Sequence, residues 1–456
     1  MKSDLADIIK DGESEVVAFA EPRAGFESIA RTVCAMLNQQ GGVLLWGVND
    51  QRKLIGLENA QHEAHSLNDY LIGNLNPRPL LSVAVTEDNI VRVDIPPGAD
   101  KPYSLNGRIY VRVGNRTLRA TEEDSVEIVE QSAAQFDRWE RSTMPGFTME
   151  DCDSAELARS RREMIAAGRF GMDLPATDEE LLQRLFLLQS GQFTNAAVVM
   201  FAGQPRAWVP NLAVRIAFYQ HDKSGPLAND IILEGPAARI LKEAVETIQQ
   251  RTGFSSQFHR NQLEREDRPA YAVFALREGI VNAMAHRTYE SIGGDIQVDV
   301  FPDYLTITNP GTLPEGWKPE DLKKPHGSHS RNPDIVRVFY LRKLMEWLGK
   351  GTQKVIEECT EIGAKTPVWT AEHNNVTLKL FRSPEPKVTE VLGGRQLQFL
   401  KDIDVGADFK VGDYSEAAGI SERQARRDLA DLESLGLVER TGKGPATAYR
   451  RTAKSL

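Results

Sequence analysis

Glu278, Asn282 and His286 recur at i, i+4 and i+8 inside an otherwise apolar run, Glu278-Gly279-Ile280-Val281-Asn282-Ala283-Met284-Ala285-His286. On a helix these three stack along one face. A carboxylate, an amide and an imidazole in line are an odd set for a stripe that faces a core. They suit a site where the amide holds a cation, the carboxylate orients or deprotonates water, and a phosphate chain lies across both. The same spacing also fits an exposed polar stripe on an amphipathic helix.

Two strand-like stretches follow, Asp295 to Val300 and Tyr304 to Thr308, and the second breaks at Asn309-Pro310-Gly311. Glu346-Trp347-Leu348-Gly349-Lys350-Gly351 then runs into a helical stretch, Thr352 to Cys359. This order resembles the Bergerat ATP-binding fold of gyrase, chaperone, histidine-kinase and mismatch-repair ATPases. The resemblance implies ATP with Mg2+. Glu278 would be the water-orienting base and Asn282 the magnesium ligand. Asn309 and Gly311 would take the adenine side, with Gly349 and Gly351 over the phosphates. His286 joins the cofactor set or only caps its helix. The chain departs from the pattern at Asn309, where the family has Asp; an amide offers a hydrogen bond without charge. That departure and the short glycine lid bear on ATP turnover more than on binding. Gly349 and Gly351 also fit an ordinary helix-start loop.

With 456 residues, the chain is too long for one compact core, and about three domains are expected. No apolar run approaches the ~18 residues that span a bilayer. Met1 opens onto a charged, polar segment, so no signal peptide and no membrane association are expected. Cys34, Cys152 and Cys359 lie far apart and fit no zinc spacing, which suggests buried thiols in a reducing cytoplasm. The net charge of −10 argues against a whole-surface nucleic-acid coat but leaves room for local basic patches.

Residues 1–125 read as a mixed α/β domain, with helix Phe26 to Leu37, strand Val43 to Val48, helix Asn59 to Gly73, and strands Leu80 to Thr86, Ile90 to Ile95 and Arg108 to Val113. A long helix, Thr121 to Trp139, leaves it. Residues 126–176 form a helical connector, with one helix at Ser154 to Ala167. Residues 177–382 form a second domain. It opens with a helix from Asp178 to Leu188, then strands at Ala196 to Phe201 and Val214 to Tyr219, and a helix from Pro236 to Arg251. Val376 to Phe381 is its last strand, and Ser383-Pro384-Glu385-Pro386 reads as a linker.

In the first domain, Gly41-Gly42-Val43-Leu44-Leu45-Trp46-Gly47-Val48-Asn49-Asp50 is followed by Ile55-Gly56-Leu57, Lys101-Pro102-Tyr103 and Ile109 to Thr117. Together these resemble the Alba-like domain of the Schlafen core. In nuclease-active members a Glu-Ser-x-x-x-Glu-Phe-Lys entry supplies two glutamates that join an Asp to hold divalent metal, Mg2+ or Mn2+. Here the segment reads Glu13-Ser14-Glu15-Val16-Val17-Ala18-Phe19-Ala20, with alanine at the second Glu and at the Lys. Glu13 and Asp50 remain as the metal carboxylates, and a lone pair is a poor metal site. Either this is a natural binding-only member, or it is an inactivated variant of a parent with Glu and Lys at Ala18 and Ala20. We favour the second, because drift more often leaves Asp, Gln, Ser or Arg. Lys101, Arg112 and Arg116 interleave with Tyr103 and Tyr110, the usual make-up of a single-strand or RNA surface. The bases also fit a solvated face.

Residues 387–456 read as helix, short helix, Gly419 turn, helix from Ser421, then a hairpin with a basic, glycine-rich tip. This looks like a winged helix-turn-helix. Arg423, Arg426 and Arg427 would meet the major groove or phosphates, with Lys443, Arg450 and Arg451 on the wing. Many winged helices instead dimerise or dock proteins. The expected fold is therefore α/β multidomain: a Schlafen Alba-like domain, a Bergerat-type sandwich and a C-terminal winged helix. The expected function is an ATP-responsive nucleic-acid-binding protein, DNA or RNA, a nuclease in its parental form and active in phage defence. The alternatives are an ATP-modulated transcriptional regulator and a dimer-stabilising scaffold. A homo-oligomer is expected by analogy.

Overall fold

The computed structural model describes residues 2–98, 100–136, 138–169, 175–223, 225–258, 265–290, 294–324, 330–345, 351–384, 392–434, 436–442 and 447–453. The fold is mixed α/β. It divides into two compact units, Met1–Arg251 with Tyr271–Arg382, and Thr252–Ala270 with Ser383–Leu456.

The first unit opens with α1 (Lys2–Asp11), β1 (Val17–Ala20), α2 (Phe26–Asn38), β2 (Gly42–Trp46), α3 (Ala60–Asn74), β3 (Ser82–Val85) and β4 (Val91–Ile95). The strands form one sheet in the order β1-β2-β4-β3, with β1 parallel to β2. Period-two alternation along β1 sends Val17 and Phe19 toward a small core with Ile8, Val43 and Leu45. Ala18 and Ala20 point the other way, toward α2 and the larger core. β2 is buried on both faces, which is why it reads as an unbroken apolar run. Only glycine suits the turn into β2. Gly41 sits at φ +73°, and a Cβ there would lie 2.7 Å from the Pro96 carbonyl carbon. β5 (Tyr110–Val113) and β6 (Arg116–Arg119) make a hairpin, and α4 (Glu122–Phe136) follows.

Next come α5 (Ser154–Ala167), α6 (Asp178–Arg184) and α7 (Asn195–Phe201). α7 corrects the strand expected at Ala196 to Phe201. Thr194 caps it by accepting from the Ala197 N–H, and all seven of its residues are buried. A helix buried on every side has no periodicity to betray it. α6 also ends earlier than expected, at Arg184, and Phe186 takes a positive φ of 62°.

β7 (Val214–Tyr219), β8 (Leu227–Leu233) and α8 (Ala237–Thr252) lead to a hairpin of the second unit, β9 (Phe254–Phe258) with β10 (Arg265–Pro269). The chain returns through α9 (Val273–Ala285), β11 (Ile296–Val300), β12 (Tyr304–Pro310), α10 (Pro333–Leu341), α11 (Gly351–Glu361), β13 (Val368–Glu372) and β14 (Asn375–Phe381). A six-stranded mixed sheet results, in the order β8-β7-β11-β12-β14-β13. The register aligns Ile216, Val298, Ile307 and Leu378 across it, all buried. α9 lies tight on this row at Gly279, where a Cβ would come 2.7 Å from Ile307 Cδ1 and 2.9 Å from Leu378 Cδ2. Neither β8 nor the β9–β10 hairpin was expected from sequence.

The second unit continues with α12 (Gly394–Asp402), β15 (Asp408–Phe409), α13 (Val411–Ala418), α14 (Glu422–Ser434), β16 (Val438–Thr441) and β17 (Ala448–Arg451). Its three-stranded sheet runs β15-β17-β16. Phe399, Phe409, Tyr414, Leu429 and Tyr449 fill its core. Asp428 pins the helices together, accepting from Arg395 at 2.6 and 2.9 Å and from Tyr414 Oη at 2.8 Å.

Candidate functional site

Glu278, Asn282, His286, Asn309 and Gly351 line one cavity of about 140 Å³. The i, i+4, i+8 spacing on α9 puts the first three on the side that faces it. Glu278 is 2 % exposed, and Asn282 Nδ2 donates to its Oε1 at 3.1 Å. That bond turns the Asn282 amide oxygen to the other side. Gly351 opens α11 directly against the carboxylate; a Cβ there would lie 2.8 Å from the Glu278 carboxyl carbon.

Asn309 faces the cavity from β12, 5 % exposed, and its Oδ1 has no hydrogen-bond partner among the described residues. A buried acceptor without a donor costs about 1–3 kcal/mol, so it marks a place for a ligand N–H. Gly311 lets the turn after β12 pass under α9, since a Cβ there would meet the His286 carbonyl at 2.9 Å. Trp317, Met345, Val355 and Trp369 supply an apolar wall. Sequence reasoning missed these four; only Trp369, on a short stretch rich in strand-forming residues, carried a signal. Gly349 lies outside the described residues.

The N-terminal motif is placed differently. Glu13 is exposed and accepts from the Phe19 N–H at 3.0 Å; Asp50 is exposed on the turn after β2. Ala18 is 2 % exposed in the core, while Ala20 edges a cavity of about 340 Å³ with Arg23, Ser28 and Thr32. Among the described residues, no three His, Cys, Asp or Glu gather as a cation site.

The expected aromatic–basic surface is not assembled. Tyr103 and Tyr110 belong to the core against α2, where Asn38 Nδ2 donates to both their carbonyls. Lys101 is buried and donates to the Gln39 carbonyl at 2.6 Å; burial, with Arg138 nearby, brings it down to about 8. Arg112, 3 % exposed, spends its guanidinium on the Ser14 and Val17 carbonyls at 2.7 and 3.2 Å. Burial lowers its pKa against the pull of Glu13 and Glu15. Backbone carbonyls take up the Lys101 ammonium and part of the Arg112 guanidinium, whose Nε has no hydrogen-bond partner among the described residues, so the bases act as internal struts. Arg116 alone of the set is exposed.

In the second unit, Arg423, Arg426 and Arg427 are all exposed on α14. Arg426 pairs with Glu422 at 2.7 Å. Lys443 lies outside the described residues. No described helix is long and apolar enough to cross a membrane.

The Schlafen AlbA_2 family profile matches residues 9–121. A second profile, described as putative ATP-dependent DNA helicase recG C-terminal, matches residues 293–380. The crystal structure of the DIP2311 protein from Corynebacterium diphtheriae is similar at 18 % identity, with a TM-score of 0.49, over 99 % of this chain and 96 % of that one. No curated protein matches the chain. The first profile spans the β1–β4 sheet and the β5–β6 hairpin, and the second spans the strands and α11 that wall the Glu278 cavity. Residues 9–121 are thus similar to the Schlafen AlbA_2 domain, and residues 293–380 are ATPase-like.

Proposed function

We propose that this chain is a nucleotide-responsive nucleic-acid-binding protein whose Glu278 cavity takes ATP with Mg2+. One observation carries the reading: five residues singled out by their chemistry, from α9, β12 and α11, line the same cavity. The donor set fits the group. Asn282 offers an amide oxygen, a hard ligand suited to magnesium. Glu278 is held by Asn282 where it can orient water, and Asn309 presents an acceptor to an amino-bearing base. Gly351 brings backbone N–H groups at the start of α11 close to the site, as phosphate contact requires. When bound, the magnesium nucleotide supplies the phosphoryl group; Asn309 fits binding without reporting on turnover.

In this chain the AlbA_2 segment binds nucleic acid and does not cut it, because β1 presents alanine at Ala18 and Ala20. Cleavage belongs to a parent with Glu and Lys there, and phage defence is the role that suits such a nuclease. The test incubates this chain and its Ala18→Glu, Ala20→Lys revertant with labelled tRNA, single-stranded DNA and duplex DNA. Each runs with Mn2+ or Mg2+, with and without ATP. ATP-dependent cutting by the revertant alone supports the reading; no cutting by either removes the nuclease.

A second reading is a DNA-binding regulator, with α14 as the recognition helix of a winged helix. Arg423 and Arg427 favour it, exposed one turn apart on the same face. Duplex DNA binding by both proteins without cleavage would move the functional centre there.

A further inference from the structure

A set of buried and half-buried polar contacts, joined by short stretches of backbone at 332–334 and 100–101, leads from the Glu278 cavity to β1. Asn332, 4 % exposed, donates through Nδ2 to the carbonyls of Ala285 at 3.0 Å and Arg287 at 2.9 Å. These residues flank His286, which lines the cavity. Two residues on, Asp334 receives Arg141 at 2.7 Å and Arg337 at 2.9 Å. Its backbone N–H donates to Glu140, which caps the start of α10. Arg141 also reaches Asp100 at 3.3 Å. The next residue is Lys101, bound to the Gln39 carbonyl. The Gln39 side chain exchanges two hydrogen bonds with the Arg112 backbone, at 2.9 and 2.8 Å. The Arg112 guanidinium then ends on Ser14 and Val17, at the entry to β1.

Charges held this deep have few other positions open to them. Removing one partner strands the other in a low dielectric, which makes each contact stiff. The C-terminus of α9 is clamped by Asn332, which adjoins the start of α10, and Asp334 and Arg141 join α10 to Asp100.

We propose that occupancy of the Glu278 cavity is transmitted to the altered motif strand through Asn332, Asp334, Arg141 and Asp100. The inference rests on the cavity being a nucleotide site. It assigns Asn332 and Asp100 as positioning residues for a coupling that neither family profile describes. The test reads both ends of the connection at once.

The experiment is hydrogen–deuterium exchange on the full chain, with and without ATP and magnesium, alongside ATP titration. In the unaltered chain, ATP slows exchange in α9 and changes it by about fivefold or more over residues 14–20. Asp100→Ala keeps the α9 protection and the ATP affinity but loses the change at residues 14–20. Asp100→Asn, which keeps the shape, gives the same split should the alanine variant fold poorly. ATP that protects α9 and leaves residues 14–20 unchanged overturns the coupling and leaves the nucleotide site standing. So does a remote change that survives both Asp100 variants. ATP that neither binds nor protects α9 removes the nucleotide site, and the coupling with it.

Discussion

Gly351 sits so close to Glu278 that a methyl group on its Cα would overlap the carboxylate. Glu278 is buried and tied to Asn282, so it moves aside only by giving up that bond. Gly351→Ala is expected to cost about 1–3 kcal/mol through the lost Glu278–Asn282 bond and to abolish the rise in Tm given by ATP and magnesium. Gly279→Ala presses on Ile307 and Leu378 instead. It should cost about 1–3 kcal/mol in urea unfolding. Loss of the ATP-dependent rise in Tm in both variants alike would contradict this division.

The lone acceptor on Asn309 gives a second test. Asn309→Ala removes it and should weaken ATP binding by about 10- to 100-fold by calorimetry, the worth of one buried hydrogen bond to a ligand. An affinity unchanged within about twofold would place the base elsewhere.

Ala18 and Ala20 share a face of β1 but not an environment. Ala18→Glu buries a carboxylate among apolar side chains and is expected to cost about 3–5 kcal/mol. Ala20→Lys has the cavity beside Arg23 to enter and should stay within about 1 kcal/mol. If Mn2+ restores the Tm lost by Ala18→Glu, a cation meets that carboxylate, as an inactivated nuclease requires.

On α14, Arg426 is engaged by Glu422, while Arg423 and Arg427 point outward. Arg423→Ala and Arg427→Ala should each weaken duplex DNA binding and lower the slope of log K against log salt by about 1. Arg426→Ala should do less. Slopes unchanged from the original protein in all three would show that α14 does not meet the backbone.

Glu140 gives a pH signature. Burial beside Asp334 pushes it from 4.5 up to about 8, although Arg138 and the α10 N–H groups pull the other way. Burial also opposes the charge on Asp334, but Arg337 and Arg141 overcome it and hold that carboxyl below its usual range. The folded state keeps the Glu140 proton that the unfolded chain releases. Its contribution is therefore full below pH 4.5 and lost as pH rises through about 8. Glu140→Gln cannot ionise. Its Tm should gain on that of the original protein between about pH 5 and pH 9.

Much of the Glu278 cavity was legible because its residues obey a helical period and a strand break, patterns that chemistry makes conspicuous. The alternation of β11 and β12 was equally plain. Other parts had no such mark. α7 is apolar at nearly every position, and only Thr194 signals a helix start. Tyr103 and Tyr110 alternate with bases as a stacking surface would, yet α2 covers them, and no local pattern records what a distant helix covers. Trp317 precedes α10 in the chain and Trp369 follows it, and tertiary folding alone brings both to the cavity. β8 is half exposed, and Asn229-Asp230 in its middle reads as a turn.

The smaller unit is not a tail. The chain passes between the units after Arg251, again before Tyr271 and again after Arg382. No single cut frees it, and a stop at residue 382 would leave the β9–β10 hairpin behind without its companions. Two of the crossings sit within a few residues of Val273 and Phe381, the ends of α9 and β14. The chain therefore holds the smaller unit by three attachments, one leading into the helix that carries Glu278 and one leaving the strand paired to Asn309, where a simple C-terminal appendage would have one.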